Sequence, residues 1–275
     1  MYSRVYVEIT NICNMHCSFC HGHSRQPRSM NREEFARVLE QLEGHTGYLY
    51  YHLMGEPLTH PDLPAFIQMA GARGFRSMIT TNGTLLDRHG AQLLDAGVHK
   101  VNISVHSFET GGEAAHTDYI AKVSAFAGQA VRSGTIVNLR LWNSGCDGGK
   151  NHTTLALLHR HFPEDWSENT RGYRIRDKLF LEWGERFRWP DRDAPVLGDT
   201  VTCYGMRDHF GILSDGSVVP CCLDSDGSIT LGNIFRKDLD AIVSSPRAVA
   251  MAKGFSNRTA TEELCRRCGY CRRFL

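Results

Sequence analysis

Arg4-Val-Tyr-Val-Glu-Ile-Thr10 runs almost directly into Ile12-Cys-Asn-Met-His-Cys-Ser-Phe-Cys-His21, and how that join is read decides the fold. The first stretch is rich in β-branched and aromatic residues and predicts a strand. The second gathers Cys13, Cys17 and Cys20 in a C-x3-C-x2-C run on one short loop. A strand that empties into a loop of metal-binding side chains is the way parallel α/β folds present their reactive edge.

The pattern repeats along the chain. Apolar, β-branched stretches recur near residues 47–53, 75–81, 99–106 and 135–142, with helix-like stretches at 31–43, 61–73, 84–96 and 117–133 between them. His60-Pro-Asp places a proline near the start of the second helix, Thr84 is the expected N-cap of the third, and Gly74 and Gly97 stand where helices should stop. Alternating strands and helices predict right-handed parallel units forming a barrel or an open wound sheet.

Composition narrows the class. The 275 residues carry a formal net charge of +1, with 41% hydrophobic and 22% charged residues, an ordinary balance for a globular enzyme that gives no global field toward nucleic acid or anionic lipid. No run of 18 apolar residues occurs and Met1-Tyr-Ser-Arg-Val-Tyr6 lacks signal-peptide order. Those features predict a cytoplasmic protein without membrane partners, where thiols stay reduced. Three thiolates on one loop can hold three irons of a cubane cluster and leave the fourth open to another ligand. With His16, His21 or His23 added, the same loop could also close a zinc site.

The cysteine spacing, with Phe19 just before the last cysteine, resembles the radical S-adenosylmethionine (radical SAM) superfamily. That resemblance implies a SAM-binding [4Fe–4S] cluster on Cys13, Cys17 and Cys20, reductive cleavage of SAM to a 5′-deoxyadenosyl radical, and an external donor such as flavodoxin or ferredoxin. It implies a partial (β/α)6 TIM-like barrel with a small C-terminal α+β domain. Met54-Gly-Glu-Pro57 resembles the family's Gly-Gly-Glu-Pro motif with Met54 in place of the first glycine, so Gly55, Glu56 and Pro57 are expected at the SAM amino group. Thr81 and Asn82, in Thr80-Thr-Asn-Gly83, are expected along the SAM cavity. Alternation in Val101-Asn-Ile-Ser-Val-His106 puts Asn102, Ser104 and His106 on one face, and in Val137-Asn-Leu-Arg-Leu-Trp142 it groups Asn138, Arg140 and Trp142. Ser104 is expected at the SAM ribose or carboxylate, and Arg140 at the carboxylate, which a guanidinium suits.

From residue 198 the character changes, and six further cysteines follow. His209 to Cys222 reads as a β-hairpin turning at Asp215-Gly216, ahead of a helix near 238–253 and the pair Cys265-x2-Cys268. This order resembles the SPASM/twitch extension of radical SAM enzymes. A radical SAM core at 1–197 and an auxiliary domain at 198–275 follow from it. Cys203, Cys221, Cys265 and Cys268 are then expected around an auxiliary [4Fe–4S] cluster, although four thiolates also satisfy zinc. Cys222, next to Cys221 in a strand, should face the opposite side. Cys271 is a spare, a replacement ligand or half of an incomplete second site.

These features imply hydrogen abstraction from a substrate followed by oxidation or cross-linking of a peptide or protein side chain. A first strand at residue 4 leaves no length for an N-terminal peptide-binding module, so a small-molecule dehydrogenase or epimerase acting on a sugar or aminocyclitol is the alternative. A non-catalytic iron–sulfur or zinc protein would account for the cysteines alone. Cys146, in the glycine-rich loop Trp142 to Lys150, is a candidate hydrogen donor to a substrate radical. Trp183 and Trp189, in the expected linker Leu181 to Pro190, are read as lining the substrate mouth or packing between the domains.

Overall fold

The structure, a computed structural model, describes residues 1–108 and 111–274; Leu275, the last residue of the expected C-terminal domain, lies outside them. Strands β1 (Arg4–Val7), β2 (Tyr48–Tyr50), β3 (Arg76–Thr81), β4 (Lys100–Ser104) and β5 (Ile136–Ser144) alternate with helices α1 (Arg32–Leu42), α2 (Leu63–Ala72), α3 (Leu86–Asp95) and α4 (Glu113–Arg132). After β5 come α5 (Lys150–His161), a small antiparallel hairpin β6 (Ser167–Asn169) and β7 (Gly172–Arg176), and β8 (Leu179–Glu185). β8 pairs parallel to β5 and completes six parallel strands in the order β1-β2-β3-β4-β5-β8. The fold is an α/β partial barrel, the one of the two arrangements left open by the repeats that the family resemblance implied.

Strand periodicity explains why this barrel has an interior. Val5 and Val7 pack in the main core under the helices, while Tyr6 between them belongs to a second cluster with Leu53, Leu213 and Val219. The helices are amphipathic in the matching sense: α1 buries Phe35, Val38, Leu39 and Leu42 and begins with a reciprocal Asn31–Glu34 capping box.

The C-terminal part adds to the same sheet. β9 (His209–Ile212) and β10 (Ser217–Val219) form the expected hairpin, with Gly216 at φ +85°, and β11 (Gly232–Asn233) pairs outside it. β9 itself pairs parallel to β1, from Arg4 with His209 to Val7 with Ile212. Helices α6 (Leu239–Val243), α7 (Pro246–Ser256) and α8 (Glu263–Arg266) follow.

Several local expectations are corrected. The single helix at 238–253 is two, because Pro246 starts a new one behind the Ser245 cap. α2 begins at Leu63 and uses Pro64, not Pro61, in its first turn. Thr84 does not cap α3; its hydroxyl and its N–H both donate to the Asn82 side chain, which holds the loop instead. β4 stops at Ser104, and His106 lies in a 3-10 turn, so the strand alternation ends two residues early. Leu181 to Glu185 is strand rather than linker. Cys221 and Cys222 follow β10 in a turn, not a strand.

Candidate active site

The cysteine loop leaves β1 and returns to α1 through a bridge between Thr10 and Ser29. Cys13 and Cys20 are exposed and Cys17 is partly so, its thiol 3.7 Å from the Ser107 carbonyl oxygen. Two neighbouring loops hold this one in place. The Glu56 N–H donates to the Ile12 carbonyl at 2.9 Å, and Gly55, at φ +77°, lies so close that a Cβ there would sit 2.3 Å from the Thr10 carbonyl oxygen. Only glycine meets both conditions. Asn14 receives a bond from the Asn82 amide and donates to Thr84, each at 2.9 Å.

Glu56 is itself a junction. Its buried carboxylate accepts the N–H of Asn82 at 2.7 Å and of Leu58 at 3.0 Å. Burial pushes its pKa up to about 7, against the pull of those hydrogen bonds. Pro57 begins the short 3-10 turn behind it. Thr81 accepts from the Gly83 N–H, and the Asn82 carbonyl accepts from the Tyr119 hydroxyl.

A second junction anchors the far side of the loop. Glu8, fully buried, takes a bidentate pair from Arg25 at 2.8 and 2.7 Å and also accepts from the Ser214 N–H, the Ser214 hydroxyl and the Met54 N–H. Arg25 in turn donates to the Ser225 carbonyl. One carboxylate thereby ties together the cysteine loop, β1, the Met54 loop and the C-terminal hairpin.

Inside the barrel lies a cavity of about 320 Å³. Phe19, Ser104 and Arg140 line it, as do Tyr6, Tyr50, Trp142, Trp189 and Tyr270. The Arg140 guanidinium lies 4.4 Å from the Trp142 ring centre, and its Nε is buried without a hydrogen-bond partner. His52 contributes a second buried orphan, Nδ1, and is held neutral, its pKa lowered to about 3 by burial and by Arg140 and Arg4. The Trp189 indole N–H donates to the Phe19 carbonyl at 3.0 Å, joining the cavity wall to the cysteine loop. Trp183, by contrast, packs against the core.

A separate small void of about 30 Å³ is lined by Cys203, Cys221, Cys265, Cys268 and Cys271. Burial pushes the thiols of Cys221 and Cys265 well up, and neighbouring cysteines, Cys203 and Cys268 among them, push further. A hydrogen bond from Cys271 instead draws Cys268 down to about 7. Cys222 turns away from this void and lines the aromatic cavity. The peptide between Cys221 and Cys222 therefore separates the two spaces, and Tyr270 stands between Cys268 and Cys271 in the same fashion.

The expected site residues thus fall into four places. Phe19, Ser104 and Arg140 meet in the aromatic cavity, whereas Gly55, Glu56, Pro57, Thr81 and Asn82 buttress the cysteine loop beside it. Cys203, Cys221, Cys265 and Cys268 surround the thiol-lined void. Cys146 is exposed in a neighbouring cleft, with Asp147 and Lys150, rather than in the aromatic cavity. Sequence reading missed Tyr6, Tyr50 and His52 as cavity residues; inward alternation along β1 and from β2 onward is the signal that finds them.

Comparison with known proteins agrees with this layout. The description of the Radical SAM superfamily matches residues 7–123, and that of an iron-sulfur cluster-binding domain, SPASM, matches residues 203–269. A probable GTP 3′,8-cyclase of Methanothermobacter marburgensis is 33% identical over 134 residues, covering 46% of this chain and 44% of the relative. The chain spans less than half the length of that curated relative. Among solved structures, BtrN in complex with AdoMet and 2-DOIA superposes with a TM-score of 0.62 at 18% identity, covering 98% of this chain and 93% of that one. Native anSMEcpe with bound AdoMet gives a TM-score of 0.62 at 16% identity, covering 98% and 89%. Among the described residues no helix is long and apolar enough to cross a membrane. With the cysteine loop inside the first matched segment and four of the five void-lining thiols inside the second, the chain belongs to the radical SAM superfamily and carries a C-terminal iron–sulfur domain of the SPASM/twitch type.

Proposed function

We propose that this radical SAM enzyme removes a hydrogen atom from a compact substrate in the aromatic cavity and completes a net oxidation or cross-link, the substrate being a peptide or protein side chain. The observation that carries this reading is the thin wall: adjacent residues Cys221 and Cys222 face the thiol-lined void and the aromatic cavity respectively. When bound, a [4Fe–4S] cluster with one open iron supplies the electron that cleaves SAM, and an auxiliary cluster supplies an electron acceptor.

The residues fit both groups. Cys13, Cys17 and Cys20 offer three soft thiolates on one loop, with the exposed sides of Cys13 and Cys20 facing outward for a donor such as flavodoxin or ferredoxin. Cys203, Cys221, Cys265 and Cys268 surround a void instead of converging on a point, and among the described residues no three His, Cys, Asp or Glu side chains come together closely enough for a single metal ion. That favours a polynuclear core over zinc. Burial is the main force raising the thiols of Cys221 and Cys265, and a cationic core would compensate it on binding.

Gly55, Glu56 and Pro57 are assigned to the SAM amino group, with the Glu56 carboxylate as its counter-charge. Phe19, Thr81 and Asn82 flank the nucleoside. Ser104 and the unpartnered Nε of Arg140 receive the SAM carboxylate. The aromatic wall excludes water from the reacting centre. Residues 1–197 would hold SAM and substrate, and residues 198–275 the auxiliary cluster.

A small-molecule substrate is the second reading, favoured by the superposition on BtrN, whose structure holds 2-DOIA, over 93% of that chain. After anaerobic reconstitution, the protein with SAM and reductant should release 5′-deoxyadenosine, and the true substrate class should raise its yield. Cysteine- or serine-containing peptides and amino sugars are the two arms. No 5′-deoxyadenosine in any arm would remove the proposal.

A further inference from the structure

We propose that Cys271 is a fifth thiol of the auxiliary site and can take the place of Cys268 as a ligand. The proposal rests on reading the thiol-lined void as that site. A cubane has four irons, and four protein thiolates close it; the void is lined by five. The surplus has to be located.

Cys271 is 4% exposed and shares the void with the other four, unlike Cys222, which faces the aromatic cavity, and Cys146, which is exposed elsewhere. Its thiol donates to the Cys268 carbonyl at 3.1 Å across one tight turn. Cys268 lies just before the 3-10 turn Tyr270–Phe274 and Cys271 within it, and both line the same void.

The segment does not depend on a metal to hold its course. The Gly269 N–H donates to the Arg188 carbonyl at 3.1 Å, and a Cβ at Gly269 would lie 2.8 Å from that same oxygen. Tyr270 packs edge-on against Phe187 at 4.9 Å. Backbone and ring contacts between the two cysteines therefore keep Cys271 in place when Cys268 is lost.

The test uses the full chain with Cys13, Cys17 and Cys20 changed to Ala, so that the auxiliary site alone is read. After anaerobic reconstitution with iron and sulfide, this parent should hold about four irons, measured chemically with the electron paramagnetic resonance of the reduced protein. Cys271→Ser should leave both unchanged. Cys268→Ser should keep about four irons with a shifted resonance, and the double variant should fall below about one. A folded but iron-poor Cys268→Ser protein would overturn the substitution, as would a double variant that keeps its iron. Unfolding of both Cys268→Ser and Cys268→Ala by circular dichroism would overturn it equally, since a spare ligand keeps the site closed. An iron-free parent would instead strike the auxiliary-site reading itself, and the proposal with it.

Discussion

The two groups of cysteines differ in what surrounds them. Cys13 and Cys20 stand at solvent on a loop fastened by the backbone of Gly55 and Glu56 and by the Asn82 side chain, whereas Cys203, Cys221, Cys265, Cys268 and Cys271 enclose a void under Phe255 and Leu264. An open set of three suits a centre that must admit and release a small molecule at each turnover. A closed set, walled from water, suits one that only exchanges electrons. The difference teaches that the loop's geometry is imposed from outside, by its neighbours, while the void's is imposed by its own packing.

The largest expected effect separates the two directly. Changing Cys13, Cys17 and Cys20 together to Ala should remove about half of roughly eight irons per reconstituted chain and abolish 5′-deoxyadenosine formation. Surviving cleavage would break the comparison. Changing Cys221 to Ser should do the converse: the auxiliary iron falls, yet uncoupled 5′-deoxyadenosine is still produced while substrate conversion drops. Complete loss of cleavage with the first cluster intact would show that the two sites are not separable.

Glu8→Gln sharpens the claim that the loop is held from outside. It leaves Arg25 facing a neutral amide in a buried setting, and breaking such a pair costs about 3 kcal/mol. A denaturation midpoint within error of the wild type would remove the junction's importance. The smallest effect concerns pH. Glu56 titrates near 7 when folded against an ordinary value of 4.5, so between those values the folded state keeps a proton that the unfolded chain releases. Its contribution to stability is present below about pH 4.5 and is lost as pH rises through about 7. Denaturant titrations of the apoprotein across pH 4.5–8 should show this downward slope, and Glu56→Gln should flatten it.

Much of this was legible in the sequence, for reasons particular residues make plain. The five strands from Arg4 to Trp142 were readable because β-branched runs are bounded by glycines such as Gly74 and Gly97 that end helices with a positive φ. β8 was not, because Leu-Phe-Leu-Glu-Trp-Gly-Glu185 mixes apolar and charged residues and its partner strand is fixed only by tertiary pairing with β5. Ser104, Arg140 and Phe19 announced themselves by alternation or by position next to a cysteine. Tyr6, Tyr50 and His52 did not, since an inward aromatic on a parallel strand reads the same as a core residue. Nor does spacing alone reveal that neighbours Cys221 and Cys222 face two different spaces.

The parallel pairing of β9 with β1 has a consequence for how the chain is made. Tyr6 and its flanking residues wait for partners some 205 positions downstream, so as the polypeptide leaves the ribosome the first strand keeps one bare edge until nearly four-fifths of the sequence has emerged. Contacts of such long range slow folding, and a bare edge invites pairing with other chains. Truncation before His209 should therefore yield aggregates rather than a smaller soluble barrel, and metal loading of the cysteine loop is expected to follow, not precede, release of the finished chain.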